Sequence, residues 1–257
     1  MQVEVAQDKT VVELTINREQ ARNALNSETI DELIRAFRRF EKDPTVHAII
    51  LTGAGDRAFC SGADLKEVQQ LAGVEARRRY FGAIAELIET MGRQPQLVIA
   101  AVFGYTLAGG MGLAAGADFL VAADDTVFGL PEIKIGLFPM VVMAPIMRLI
   151  GRRRTLELVM SGRLVDARTM EQWGFCNRVV PRERVHQDAR QFALEVTPGS
   201  AAIARLGKEA LRGAEGLSYE DALHYLHNMV SLTAMTEDSQ EGIAAFLGHR
   251  EPDWHHQ

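Results

Sequence analysis

Cys60-Ser61-Gly62-Ala63-Asp64-Leu65-Lys66-Glu67 and Leu107-Ala108-Gly109-Gly110-Met111-Gly112 each follow an apolar, strand-like run, and each reads as the opening of a helix. A strand that turns directly into a helix leaves backbone N–H groups pointing outward, with the positive end of the helix dipole behind them. Two such junctions, if they converge, would grip one developing negative oxygen from both sides, as an oxyanion hole does. Outward from them, residues 48–52, 97–102 and 119–122 are short apolar runs typical of strands covered on both faces. A helical pattern over about 74–93 separates the first two, and a short helix follows the second glycine stretch. Strands alternating with helices over short links predict a largely parallel α/β core.

The N-terminus reads as a hairpin, strands 3–5 and 11–16 joined by a turn at Asp8-Lys9. Ser27 is positioned to cap a helix running to about Lys42, with Ile30, Leu33, Ile34, Phe37 and Phe40 at helical spacing, and Asp43-Pro44 ends it. From about Glu183 onward no strand is evident. Helical segments near 183–196, 200–213 and 218–247 remain, so the C-terminal quarter is expected to be all-helical. The division expected is a core over residues 1–195 and a helical subdomain over 196–257.

The 257 residues are 47% hydrophobic and 24% charged, an ordinary balance for a chain that buries a core. A net charge of −6 argues against a nucleic-acid partner. Cys60 and Cys176 cannot build a disulfide framework and show no metal-ligand spacing, so no metal site is expected. No secretory signal is visible, and the longest apolar run, 135–146, is interrupted by Gly136, Pro139 and Pro145. No membrane association and a reducing, cytoplasmic setting are the expectations.

Gly62 and Ala63 are small enough for a ligand to approach the backbone. Asp64 is a good N-cap, with Glu67 at capping-box spacing. Taken alone, the stretch reads first as a plain loop entering a helix, with Asp64 structural and the Ala63 N–H the functional group on the other reading. Gly109-Gly110 likewise reads as an anion site or as tight helix–strand packing. It is neither the dinucleotide fingerprint nor a P-loop. Glu132, after Pro131 and before an apolar segment, is either a carboxylate poised for proton transfer or a surface residue at a turn. Cys60 has no histidine near it in sequence and reads as a packed residue rather than a nucleophile. The paired His255-His256 is assigned no role.

In order along the chain, Asn17 to Leu25, Ala58 to Glu67, Gly104 to Gly110 and Phe128 to Glu132 closely resemble the crotonase (enoyl-CoA hydratase/isomerase) superfamily. The ending Glu241 to Leu247, followed by Arg250 to Trp254, is also similar to that family. The resemblance implies a crotonase-like α/β spiral of repeated β-β-α units with an all-helical C-terminal region that makes homotrimers or homohexamers. It implies an acyl-CoA thioester as substrate, with coenzyme A entering as part of that substrate and no permanently bound cofactor. It implies that the Ala63 and Gly109 N–H groups hold the thioester oxygen and that Glu132 is catalytic. Arg22, Ala24, Ser61, Gly62, Asp64, Leu65, Tyr105, Gly110, Pro131 and Leu137 fall at substrate- or CoA-binding positions.

Hydratases of the family carry two glutamates. Glu132 matches the second, while Gly112 stands where the first would be. Some isomerases and a dehalogenase branch carry an Asp eight residues past the glutamate; here that residue is Met140. The usual glycine-rich continuation is replaced by Met140-Val141-Val142-Met143-Ala144-Pro145, an apolar wall suited to a dry acyl pocket or simply to packing. One glutamate suffices for Δ3–Δ2-enoyl-CoA isomerisation, so the expected function is single-Glu proton transfer. The alternatives are hydration of a trans-2-enoyl-CoA and a CoA-thioester binding protein with little catalysis. Gly112→Glu is expected to raise hydration if the scaffold is otherwise intact.

Overall fold

The computed structural model describes residues 1–197 and 199–255, so His256 lies outside the described residues. Two units are distinguished, Met1–Ala193 and a second from Leu194 onward. The first begins with the hairpin of β1 (Val3–Asp8) and β2 (Val11–Ile16), whose turn falls one residue later than expected, at Lys9-Thr10. Lys9 takes the left-handed conformation there, φ 55°. Helix α1 (Ser27–Phe40) follows, capped by Asn26 and not Ser27, because Asn26 Oδ1 accepts from Thr29 N–H at 2.9 Å.

Three β-β-α units come next, the repeat that the resemblance implies. The first is β3 (Ala48–Gly53), β4 (Ala58–Cys60) and the helices α2 (Leu65–Gln70) and α3 (Gly73–Arg93). The second is β5 (Leu97–Val102), β6 (Tyr105–Leu107) and α4 (Gly109–Gly116). The third is β7 (Phe119–Ala123), β8 (Val127–Gly129), a 3-10 turn over Pro131–Ile135 and α5 (Met140–Ser161), which breaks helical geometry at Gly151. The strand β9 (Leu164–Asp166), α6 (Ala167–Gln172), β10 (Arg178–Val180) and α7 (Val185–Val196) follow.

The first strand of every unit joins one sheet, ordered β1-β2-β3-β5-β7-β10, parallel apart from the β1–β2 hairpin. The second strand joins another, β4-β6-β8-β9, of which β4, β6 and β8 run parallel. Each unit therefore steps from one sheet to the other before its helix. The runs 48–53 and 97–102 are buried almost throughout, as strands covered on both faces must be. Helix α1 turns Ile30, Leu33, Phe37 and Phe40 inward and packs against α3, which contributes Tyr80, Ile84, Leu87 and Met91. Phe37, Phe59, Phe103 and Phe128 are fully buried, each stabilising by about 1.5–3 kcal/mol.

The second unit holds α8 (Ala201–Ala214), α9 (Tyr219–Thr233) and α10 (Glu237–Leu247). The single segment expected over 218–247 is two helices, since Thr236 Oγ1 accepts from Ser239 N–H at 3.2 Å and caps a new start. Ser200 caps α8 and its hydroxyl also meets Asp238 on α10. Among the described residues no helix is long and apolar enough to cross a membrane.

Candidate active site

The second sheet positions the site. Its three parallel strands end side by side, β4 leading to Gly62-Ala63, β6 to Gly109 and β8 to Glu132. Carboxyl ends of neighbouring parallel strands are where α/β folds generally place their ligands. Ala108 N–H donates to Gly129 C=O at 2.9 Å, tying the turn before Gly109 to the strand that precedes Glu132.

The two glycine stretches do converge. An atom built at the Cβ position of Gly109 would stand 3.5 Å from the Ala63 nitrogen and 3.3 Å from Gly62 Cα. One at Gly62, which has φ 102°, would stand 2.6 Å from Ala108 Cβ and 3.0 Å from the Gly109 nitrogen. The loops touch backbone to backbone, and only glycine permits that at position 62. Among the described residues, neither the Ala63 N–H nor the Gly109 N–H donates to an acceptor of the chain itself. Gly109 opens α4, so its N–H is one of the first-turn donors that a helix leaves unpaired.

Leu25 aims the first donor. Its N–H donates to Gly62 C=O at 2.8 Å, and because the peptide is trans and planar the Ala63 N–H points the opposite way. Leu25 C=O accepts from Asp64 N–H at 2.9 Å and from the Tyr80 hydroxyl, while Asp64 N–H also donates to Tyr80 Oη at 3.0 Å. The expected capping box is therefore not closed. Asp64 N–H is already engaged, and Glu67 turns instead to Ser27, accepting from its N–H at 2.9 Å and its hydroxyl at 2.5 Å. Asp64 does cap α2, accepting from Lys66 N–H at 3.1 Å and Glu67 N–H at 3.4 Å. Burial opposes its ionisation, but the Arg18 guanidinium at 2.9 Å and these N–H groups outweigh that and hold the carboxyl below its ordinary range.

The second donor is set by Ala108, whose φ of 52° and ψ of −122° match the first central position of a type II′ turn, ordinarily a glycine site. Gly110 is pressed against β4, and a Cβ there would stand 2.1 Å from Cys60 C=O. Burial pushes the Cys60 thiol up to about 12, which suits a packed residue and not a nucleophile.

Glu132 sits in the first turn of the 3-10 segment behind Pro131, and its carbonyl accepts from Leu137 N–H at 3.0 Å. Its Oε2 is buried with no hydrogen-bond partner. Burial pushes its carboxyl up from an ordinary 4.5 to about 7, opposed only by its own backbone N–H. Such an acid both takes and returns a proton near neutrality. At the rim, Arg22 reaches over the exposed Tyr105 ring at 5.9 Å, and its carbonyl accepts from Ser61 N–H at 3.1 Å. Ala24 is buried beside Leu25, and Leu65 and Leu137 are exposed. The structure thus gathers Ser61, Gly62, Ala63, Asp64, Gly109 and Gly110 at one junction, with Arg22 and Tyr105 beside it and Glu132 on the next strand end.

Three residues that shape the site were given no role from the sequence. Arg18 clamps Asp64 and also donates to Ala24 C=O. Asn23 is buried at φ 54° and locks the loop, donating to Ala54 C=O at 3.0 Å and Ala58 C=O at 2.8 Å. Tyr80 carried the one available signal, a hydroxyl in line with the apolar face of α3.

Residues 6–257 match the family described as enoyl-CoA hydratase/isomerase. The chain is 39% identical to the probable enoyl-CoA hydratase echA8 of Mycobacterium tuberculosis, over 98% of this chain and 97% of that one. It is 35% identical to the mevalonyl-coenzyme A hydratase sidH of Aspergillus fumigatus, over 94% and 90% respectively. The crystal structure of an enoyl-CoA hydratase from Mycobacterium smegmatis superposes with a TM-score of 0.96 at 30% identity, covering 99% of both chains.

Proposed function

The chain belongs to the enoyl-CoA hydratase/isomerase family, and from that premise we propose that it moves the double bond of a trans-3-enoyl-CoA to the 2-position, with Glu132 as the single proton carrier. The observation that carries this reading is the buried, unpartnered Oε2 of Glu132, on a carboxyl raised to about 7 with no second carboxylate acting on it. Glu132 takes the proton from C2, and the electron pair of that bond moves into a dienolate whose negative oxygen lies between the Ala63 and Gly109 N–H groups. Charge grows there only as the transition state is approached, so both donors stabilise it more than the ground state. Glu132 then gives its proton to C4, the C2–C3 double bond forms, and the carboxylate is restored. No water is consumed. Arg22, Tyr105 and the loop Ser61 to Leu65 hold the CoA portion.

Hydration of a trans-2-enoyl-CoA is the second reading, supported by the names that the relatives carry. It requires a group besides Glu132 to hold the water, and Gly112 offers none. Exposed Leu223, Val230 and Phe246 in the C-terminal helices support self-association as a trimer or hexamer. The test supplies purified protein with a trans-3-enoyl-CoA, a trans-2-enoyl-CoA and a saturated acyl-CoA. Conversion of the first to a conjugated enoyl thioester without hydration is the expected result. Hydration of the second with no conversion of the first supports the alternative, and saturable binding without turnover of any of them defeats both.

A further inference from the structure

The space beside Gly112 is already filled. An atom built at its Cβ position would stand 2.2 Å from Val142 Cγ1, 2.7 Å from Val142 Cβ and 3.5 Å from Ile88 Cδ1. Val142 lies near the start of α5, only 4% exposed, and α5 packs against both α4 and the turn that carries Glu132. Gly112 is three residues beyond Gly109 on α4, so the two positions share one face of the helix. Val142 belongs to the buried core, and its chain neighbours Val141 and Met143 pack against that core as well. We infer that Val142 is the residue that determines reaction specificity at this site: it occupies the volume that any side chain at position 112 needs, and puts hydrocarbon there in place of a second polar group.

This inference rests on the proposed reaction for its consequence. With hydrocarbon on that side no water is held for attack on the acyl chain, and proton return by Glu132 is the only exit from the dienolate. On this inference Gly112→Glu by itself does not raise hydration, because the scaffold there is not free to take the side chain. The new Cβ meets branched, buried carbon, and a buried carboxylate without partners is costly besides.

The test is a cycle of wild type, Gly112→Ala, Gly112→Glu, Val142→Gly and the double variant Gly112→Glu/Val142→Gly. Each is measured for Tm and for turnover of trans-3- and trans-2-enoyl-CoA. Alanine in place of glycine inside a helix ordinarily stabilises, so a Tm lowered by about 2–10 °C in Gly112→Ala reports the clash. Gly112→Glu is expected to be less stable still, and Val142→Gly to restore its Tm. The double variant is expected to hydrate trans-2-enoyl-CoA about 10²-fold faster than wild type, the lower end of what a placed acid–base group supplies. A Gly112→Ala or Gly112→Glu protein as stable as wild type overturns the inference. So does a folded double variant that hydrates no faster than wild type or than Gly112→Glu. Wild-type inactivity toward trans-3-enoyl-CoA defeats the isomerase reading alone, since the coupling between positions 112 and 142 is read in Tm and hydration.

Discussion

Tyr80→Phe separates stability from chemistry at the oxyanion junction. The hydroxyl that is lost donates to Leu25 C=O and accepts from Asp64 N–H at 3.0 Å. Those two backbone groups keep each other, at 2.9 Å, so nothing buried is orphaned. The loss is then that of one net hydrogen bond, about 1 kcal/mol, or about 2–4 °C in Tm for a chain of this size. Catalysis feels a different quantity. Leu25 pins the peptide that carries the Ala63 N–H, and a Leu25 C=O held by Asp64 N–H alone lets that donor tilt. Removal of a whole oxyanion donor costs about 2.7–4 kcal/mol, so losing about a third of one lowers kcat roughly five- to tenfold. KM should move by less than about twofold, because the interaction strengthens only in the transition state. The assay is isomerisation kinetics beside urea and thermal unfolding. A lowered Tm with unchanged kcat would refute the reasoning and leave Tyr80 a packing residue.

Glu132→Gln should lower isomerisation by at least about 10²-fold while acyl-CoA binding, followed by calorimetry, persists; an unchanged rate removes Glu132 from the mechanism. In the wild type kcat/KM should rise about tenfold per pH unit and level off above about 7, because the base works ionised; an ascending limb near 4.5 instead would contradict the buried environment. The folded chain holds this proton more tightly than the unfolded one, so its contribution to stability is greatest below 4.5 and is lost as pH rises through about 7. Glu132→Gln should therefore unfold at higher urea than wild type above that pH and show little difference below 4.5. Gly110→Ala forces a Cβ to 2.1 Å from a backbone oxygen and should lower Tm by about 2–10 °C or prevent recovery. Gly109→Ala, with its nearest neighbour at 3.3 Å, should lose less stability than Gly110→Ala yet lose kcat, because its methyl group sits beside the Ala63 donor. Equal stability of the two alanine variants would contradict the packing described.

Most of the first sheet was legible in the sequence because its central strands are long and apolar, as at 48–53 and 97–102, while its three-residue edge strand β10 was not. The second sheet was not. Strands β4, β6, β8 and β9 are three residues each, too short for a period to show, and their pairing partners lie in other units. The oxyanion positions were legible as glycine-bearing helix starts, but their meeting is a tertiary fact that no local pattern encodes. Asn26 outcompeted Ser27 as a cap because both residue types suit the position and only geometry decides. Glu67 escaped its capping box because Leu25 C=O and the Tyr80 hydroxyl, both distant in sequence, had taken the N–H it needed. The filling of the Gly112 space by Val142 was likewise invisible, since neither residue alone is unusual.

Ala108 has a consequence for how sharply the second donor is held. Its backbone sits at φ 52°, where a methyl-bearing residue pays about 1–3 kcal/mol. Glycine there would relieve that strain, but it would also return to the chain many conformations that alanine forbids. The alanine therefore trades stability of the whole fold for fewer available shapes at one peptide, and that peptide aims the N–H of Gly109. A more stable Ala108→Gly protein with a broader, slower site would be the mark of that exchange.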